Sequence, residues 1–446
     1  MSRTILINNV YSYRNKGDSA IIEAMMSYIR EVAPDSRIVL LSNFSSENRP
    51  YYAACNAESA PHLWDIPMDD AKLRRLVRAV KAMLGIGFGA MHLPGANSQT
   101  MKLYRQCDAV IDAGGGSLYS SNRHKFSLGL YQHLFNLWFG KKIGKSVLIA
   151  PQSIGPFNSD RERNSTAHLL RMLDCVMIRE KISSSFLREY NVPHVLVPDI
   201  AFLGNFVIPA SQAAKHYTAL LPDKQQMRVG VTVLDWRWAK PGLSNNDEGE
   251  KQISRYLDAI SSALISVAKT TQLHVSIFPQ VTAGYGDTDL GISQRLMKMI
   301  EGHVTTVKVA EGDWTPSDLC HMYGEMDAFV ASRMHSAIFA ITRGVPTLAL
   351  AYQPKTIGTF ELLNLGQYAK DCMKVTGEEI ASHLHAVVND RAGERTKFTA
   401  AAAEAKALVK ASLDRNWKPI LTGEAVPEAQ VKAESQVKWA AQVPTA

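Results

Sequence analysis

Asp327-Ala-Phe-Val-Ala-Ser-Arg333-Met-His335-Ser-Ala-Ile-Phe-Ala-Ile-Thr-Arg343-Gly-Val-Pro346 is the stretch that decides the fold of this chain. Its four apolar residues Ala328 to Ala331 suit a short buried strand, broken at Ser332. Ala337, Ile338, Phe339, Ala340 and Ile341 then suit a helix packed against a sheet. Gly344 closes that helix, and Pro346 leads into another apolar run, 347–351. Strand, helix and strand in such short order predict a parallel crossover in an α/β protein. Arg333 and His335 therefore stand at a helix N-terminus on the carboxyl edge of a parallel sheet. Free backbone N–H groups and the helix dipole favour an anion there, and open α/β sheets bind ligands along that edge. A cation paired with a neighbouring carboxylate and a histidine satisfied in the core would read alike. The two together in this position favour a binding site.

Outward from this stretch the alternation continues in both directions. Upstream, strands over 228–234, 274–278 and 305–309 alternate with helices over about 252–270, up to 300, and from 317. A separate series fills the first half. It begins with a strand at 4–8, a polar loop holding Asn15 and Asp18, and a helix at 19–31. A second strand follows at 37–41, then a strand from Asp108 that runs through Asp112 into Gly114-Gly115-Gly116. After a helix at 128–139, the strand 147–151 ends at Gln152, and the strand beginning at Val176 ends at Arg179. Two such series predict an α/β protein of two Rossmann-like domains facing each other across a cleft. The boundaries fall at 1–204 and 205–420, the latter carrying the terminal helices. Residues 421–446 hold little to bury and read as a mobile tail.

The 446 residues suffice for two domains, each with its own core. Hydrophobic content of 46% against 20% charged residues is that of a folded globular chain, which excludes a disordered one. The net charge of +7 is too diffuse to indicate nucleic acid and suits an anionic small molecule or membrane surface. Five scattered cysteines with no CxxC pair read as reduced thiols of a cytoplasmic protein. Neither a metal motif nor a dinucleotide fingerprint is present, since the triple glycine lacks GxGxxG spacing; no cofactor and no metal are expected. No apolar run approaches membrane-spanning length.

One segment points to a surface. Within 72–84, Leu73, Leu76, Val77, Val80 and Leu84 share one helical face, with Lys72, Arg74, Arg75, Arg78 and Lys81 around them and no acid. A helix of this kind suits peripheral contact with an anionic membrane. Packed on its own domain, it is an ordinary amphipathic helix.

Several pieces, in order, resemble the polysaccharide pyruvyl transferases of bacterial exopolysaccharide and cell-wall synthesis. They are Asn15-Lys-Gly17-Asp18, Asp112-Ala-Gly114-Gly115-Gly116, Gln152-Ser-Ile-Gly155-Pro156, Arg179-Glu180, Pro198-Asp199, Pro279-Gln280, Arg333-Met-His335-Ser-Ala-Ile and Tyr352-Gln-Pro-Lys355. The resemblance implies a GT-B-like architecture and transfer of a pyruvyl group from phosphoenolpyruvate (PEP), a co-substrate, to sugar hydroxyls as a cyclic ketal. It also implies a donor site of Arg333, Met334 through its backbone, His335, Arg179 and Lys355. The first loop is longer and more aromatic (Tyr11, Tyr13) than the family's short form.

The chemistry of these residues agrees with that implication. Phosphate and carboxylate on one small frame call for several cations, planar forks from arginine and a point charge from lysine. His335 is the natural acid to protonate the enol carbon. Asp18, His124 and Asp112 are the candidates to deprotonate the attacking hydroxyl. Asn15, Asp18, Asp112, Gly114, Gly115, Gly116 and Gln152 are expected on the acceptor side. The acceptor itself is expected to be a glycan or a lipid-linked sugar. Two other readings suit the same architecture: a nucleotide-sugar glycosyltransferase, and a non-catalytic homologue that binds an anion.

Overall fold

The computed structural model describes residues 2–63, 77, 80, 84, 99–120, 127–222, 225–239, 243, 246–282 and 288–424. Among these, the chain builds two wholly parallel sheets. The first holds β1 (Thr4–Val10), β2 (Arg37–Ser42), β3 (Glu58–Ala60), β4 (Ala109–Asp112), β5 (Ser146–Gln152), β6 (Cys175–Ile178) and β7 (Val195–Leu196), ordered β3-β2-β1-β4-β5-β6-β7. The second holds β8 (Met227–Thr232), β9 (Leu273–Ile277), β10 (Thr306–Val309), β11 (Ala328–Ala331), β12 (Thr347–Ala351) and β13 (Ala369–Asp371), ordered β10-β9-β8-β11-β12-β13. Both follow the Rossmann order, winding outward from their first strand and then returning to its other side. The return leaves a switch point between β1 and β4, where Asn8 pairs opposite Asp112, and another between β8 and β11, where Thr232 pairs opposite Ala331. Loops diverge at a switch point, so a crevice opens at the carboxyl edge there.

The inner strands are buried on both faces, which is why they read as continuous apolar runs, while β7, β10 and β13 at the sheet edges are part-exposed. Leu6, Val110 and Val147 face one core of the first domain, and Val229, Ile260 and Leu348 face one core of the second. The third core belongs to both. Ile5, Ile22, Met25, Phe278, Ile338, Phe339, Phe360 and Trp417 form a single buried cluster that spans the seam. All five cysteines are buried thiols.

Several elements differ from expectation, each for a local reason. The first helix, Lys16–Val32, begins three residues early because the Asn15 side chain caps it, accepting from the Gly17 N–H at 3.2 Å. Asp18 therefore lies in the first turn and is not the cap. Asn246 likewise caps the helix Asp247–Ala268 ahead of the expected start. β3 is too short to leave a period in sequence. The helices Arg391–Asn416 and Lys418–Thr422 return to the first domain: Tyr28 Oη donates to Asp414 of the former at 2.9 Å, and Arg3 Nη2 reaches the Ile420 carbonyl of the latter at 3.1 Å. The terminal helices thus pack on both domains. Leu421, expected in the tail, is instead buried in the shared core within the helix Lys418–Thr422, and the rest of the expected tail from 425 lies outside the described residues. In the 72–84 segment Val77, Val80 and Leu84 are helical and exposed, and its cations lie outside the described residues. Among the described residues no helix is long and apolar enough to cross a membrane.

A strap from the first domain closes the seam. Asn15 pairs with Val281, the Thr282 N–H donates to the Arg14 carbonyl at 3.3 Å, and Lys16 Nζ meets Asp313 at 2.6 Å. The Lys16 side chain is 2% exposed against 54% for Asp313. Tyr13 also donates to Asp313, and its ring lies 5.0 Å from the Lys16 ammonium. Burial pushes the Lys16 amine down and Asp313 pulls it back up. Asp313→Ala should therefore leave a buried cation unpaired and lower stability by about 1–3 kcal/mol. Lys16→Met in that background should recover most of the loss in thermal or denaturant unfolding; equal losses for the single and double variants would deny the coupling.

Candidate active site

The second domain contributes two helix N-termini. β11 ends at Ala331, and the next turn is fixed by the Ser332 N–H donating to the Thr232 carbonyl at 3.2 Å and by the Ser336 hydroxyl against Thr232 Oγ1 at 2.7 Å. The helix Met334–Thr342 then begins with Arg333 as its cap residue and no side-chain cap on its first N–H groups. The Met334 side chain is buried, so this residue presents its backbone. Arg333 lays its guanidinium on Asp289, Nη2 at 2.6 Å and Nε at 3.1 Å. The same carboxylate accepts the N–H groups of Gln280 and Val281 at 3.1 and 3.0 Å. Arg333 is thus a paired cation held at the cleft edge.

After β12, Pro354 opens the helix Pro354–Leu362, which also lacks a side-chain cap, and Lys355 lies half-buried in its first turn. The Lys355 ammonium makes no hydrogen bond among the described residues. Burial first, then repulsion from Arg179 and Arg333, lower its amine to about 8, with Asp18 and Asp199 opposing the fall. His335 is 13% exposed on its side chain, and its Nε2 lies 3.6 Å from Asp199 Oδ2, too far for a hydrogen bond.

The first domain supplies the opposite wall. Arg179 is fully buried at the end of β6: Nη1 pairs with Asp199, Nε donates to Ser153 Oγ at 3.2 Å, and Nη2 to the Gly115 carbonyl at 3.3 Å. Its fork is spent inside the domain, so its charge reaches the cleft although its donors do not. Burial alone would raise Asp199, but Arg179 and His335 hold it well below the usual carboxylate range. Asp18 is half-buried beside the glycine turn. A Cβ on Gly115, where φ is +78°, would come within 2.5 Å of its carboxylate, so only glycine fits. Burial raises the Asp18 carboxyl, His335, Lys355 and Arg179 pull against the rise, and Asp199 adds to it.

The two walls meet at Gly17. A methyl group there would overlap the imidazole of His335. Across the seam, a Cβ on Gly358 would sit 2.9 Å from that of Glu180, the residue that caps the helix Lys181–Glu189. Asp18, Arg179 and Asp199 are thereby brought together with Arg333, His335 and Lys355.

The other expected residues lie elsewhere. Asp112 is fully buried, accepting from Asn9 at 2.5 Å and from Gln152 and Ser117, and burial raises its carboxyl to about 6 against those hydrogen bonds. Asp112 and Gln152 form a floor beneath Gly114–Gly116 and do not line the cleft. Asn15 is occupied as a helix cap. His124 lies outside the described residues. Nothing in the sequence marks Asp289 as a site residue, because 44 positions separate it from Arg333 and only the fold joins them. Asp199 stood inside a motif, with nothing to show that it would sit between an arginine and a histidine.

Comparisons with known proteins identify the family and the fold. The family model for polysaccharide pyruvyl transferases matches residues 15–354, and the chain belongs to that family. The amylovoran biosynthesis protein AmsJ of Erwinia amylovora is 21% identical over 422 residues, covering 87% of this chain and 92% of the relative. Among solved structures, HepE of Anabaena, in complex with UDP and glucose, superposes with a TM-score of 0.54 at 11% identity, over 94% of this chain and 100% of that one. A glycosyltransferase from Rickettsia africae gives 0.55 at 10% identity, over 95% and 100%. A UDP-N-acetylglucosamine 2-epimerase from Listeria monocytogenes described as putative gives 0.53 at 10%, over 94% and 98%. These likenesses establish the GT-B-like pairing of Rossmann domains.

Gly17→Ala is expected to displace the His335 ring and cut transferase turnover roughly 10²-fold while the protein remains folded by circular dichroism. Retained turnover in that variant would mean that the contact at the seam is dispensable.

Proposed function

We propose that this protein transfers the pyruvyl group of PEP to two hydroxyls of a sugar, on a glycan or lipid-linked intermediate, in exopolysaccharide or cell-wall polysaccharide synthesis. The observation that carries the reading is one cluster at the domain seam: two uncapped helix N-termini, Arg333, His335 and Lys355 on one wall, and Asp18 on the other. An anionic donor fits the first wall and a hydroxyl to be deprotonated fits the second.

In this mechanism Lys355, the Met334 N–H and the charge of Arg333 hold the phosphate and carboxylate, and the buried charge of Arg179 backs them. His335 gives a proton to C3 of PEP, turning the methylene into a methyl group and leaving an oxocarbenium-like C2. A sugar hydroxyl bonds to C2, losing its proton to Asp18, whose raised carboxyl is a better base than an ordinary aspartate. The bond from C2 to the phosphate oxygen breaks, and a second hydroxyl closes the ketal. Of the two hydroxyl protons, one replaces the proton spent on C3 and the other leaves with phosphate. Asp112 is a weaker candidate for the base, since both of its oxygens are engaged.

The row Val77, Val80 and Leu84, exposed in a segment rich in lysine and arginine, supports contact with an anionic membrane and hence a lipid-linked acceptor. A nucleotide-sugar donor is the alternative that the fold permits.

PEP should raise the melting temperature, and UDP- and GDP-sugars should not. At 100 times its Kd a ligand adds about 2.7 kcal/mol of stability, which a thermal shift detects. Stabilisation by a sugar nucleotide alone would sink the pyruvyl-transfer reading. His335→Ala should retain PEP binding and lose phosphate release. The amine of Lys355 near 8 sets a pH dependence whose sign follows from its charge. Protonated below pH 8, it attracts the donor; as pH climbs toward 9 the charge is lost, and PEP affinity should fall about tenfold. Lys355→Met should bind PEP weakly and with no such slope, measured by titration calorimetry between pH 7 and 9.

A further inference from the structure

Gln280 lies just past the end of β9 at the seam, and its main chain is fixed on both sides. Its N–H donates to Asp289, the carboxylate that carries Arg333, and its carbonyl faces the Lys16 N–H at 3.5 Å. Lys16 adjoins Gly17, which touches His335. The residue therefore stands between the Arg333–Asp289 pair and the strap that carries Asp18.

Its side chain is 1% exposed, yet neither Oε1 nor Nε2 has a hydrogen-bond partner among the described residues. A buried primary amide unpaired at both ends is costly, and a leucine of similar size would avoid that cost. Gln152 shows what a structural glutamine looks like in this chain: it is equally buried, with Nε2 donating to Asp112 and Oε1 accepting from Ser117. Two other buried polar atoms without hydrogen-bond partners belong to the helices that form the donor wall. They are Nε2 of His335 and Oγ1 of Thr356, the neighbour of Lys355. The loop after β9 and both helices of the donor wall thus each carry a buried polar atom without a hydrogen-bond partner.

We propose that Gln280 is a donor-binding residue whose Nε2–H groups hydrogen-bond an anionic oxygen, carboxylate or phosphate, of the substrate held by Lys355 and Arg333. This inference rests on the reading of PEP as donor. An amide suits the task because it donates to an anion without titrating, and it adds no charge to a place already balanced by Asp289. A carboxylate there would repel the donor.

The test compares wild type, Gln280→Leu and Gln280→Glu in the full-length protein, by unfolding without ligand and by calorimetric titration with PEP. Gln280→Leu should melt at the wild-type temperature or above it, and should bind PEP about tenfold more weakly. Gln280→Glu should bind more weakly still and regain affinity as pH falls and its acid becomes a donor. A leucine variant that binds PEP like wild type overturns the proposal while leaving PEP as donor intact. One that melts well below wild type makes Gln280 a structural residue and overturns it equally. Failure of PEP to stabilise or titrate the wild type overturns the donor reading itself, and this inference with it.

Discussion

The approach of Gly17 to His335 is the contact on which the cleft depends. It sets the start of the helix Lys16–Val32, from the first sheet, against the start of the helix Met334–Thr342, from the second. Each helix starts with the positive end of a dipole, and the second lacks a side-chain cap, so the two ends repel when brought together. Three neighbouring cations, Arg179, Arg333 and Lys355, add to that repulsion. The arrangement holds because three carboxylates stand among the cations. Asp199 pairs with Arg179, Asp289 pairs with Arg333, and Asp18 lies opposite Lys355 and His335.

That balance explains which groups are reserved for a ligand. Both arginines pair with carboxylates, Arg179 beneath the site and Arg333 at its edge, and the buried Arg179 shapes the potential without offering donors. Lys355 and Asp18 have no partner as close, and their titrations shift in opposite senses, the amine down and the carboxyl up. Groups moved toward each other on the pH scale can exchange roles between charged and neutral near physiological pH, which acid–base chemistry requires. The glycine turn keeps the site tight beside Asp18, and the buried Asp112 and Gln152 bond to each other close behind it.

The fold supplies the positions. Two sheets of the same winding order place their switch points at the same seam, and the shared core between them fixes how far apart the two walls stand. Solved structures at 10–11% identity preserve this pairing of domains, among them a UDP complex, an epimerase described as putative and a glycosyltransferase. The architecture carries many chemistries because the reacting groups sit on loop and helix starts, which change without disturbing the strands.

Much of the architecture was legible in the sequence. Apolar runs of strand length, alternating with helical periodicity, are local properties of the chain, and local properties determine parallel α/β domains. The placing of Arg333 and His335 at a helix start was legible for the same reason, since a short strand, a serine and a buried helix leave no other geometry. The partners of those residues were not. Asp289 lies 44 positions from Arg333, Asp199 lies in the other domain from His335, and Gln280 gives no local sign that its amide will be buried unpaired. The short β3 and the early start of the first helix were missed because three residues carry no period and one asparagine side chain decides the cap. Sequence alone determined which groups stand at the carboxyl edges of two sheets. Only the tertiary structure decided which of them face one another, because that depends on how two separately wound domains pack, and charges interact through space without regard to their order along the chain.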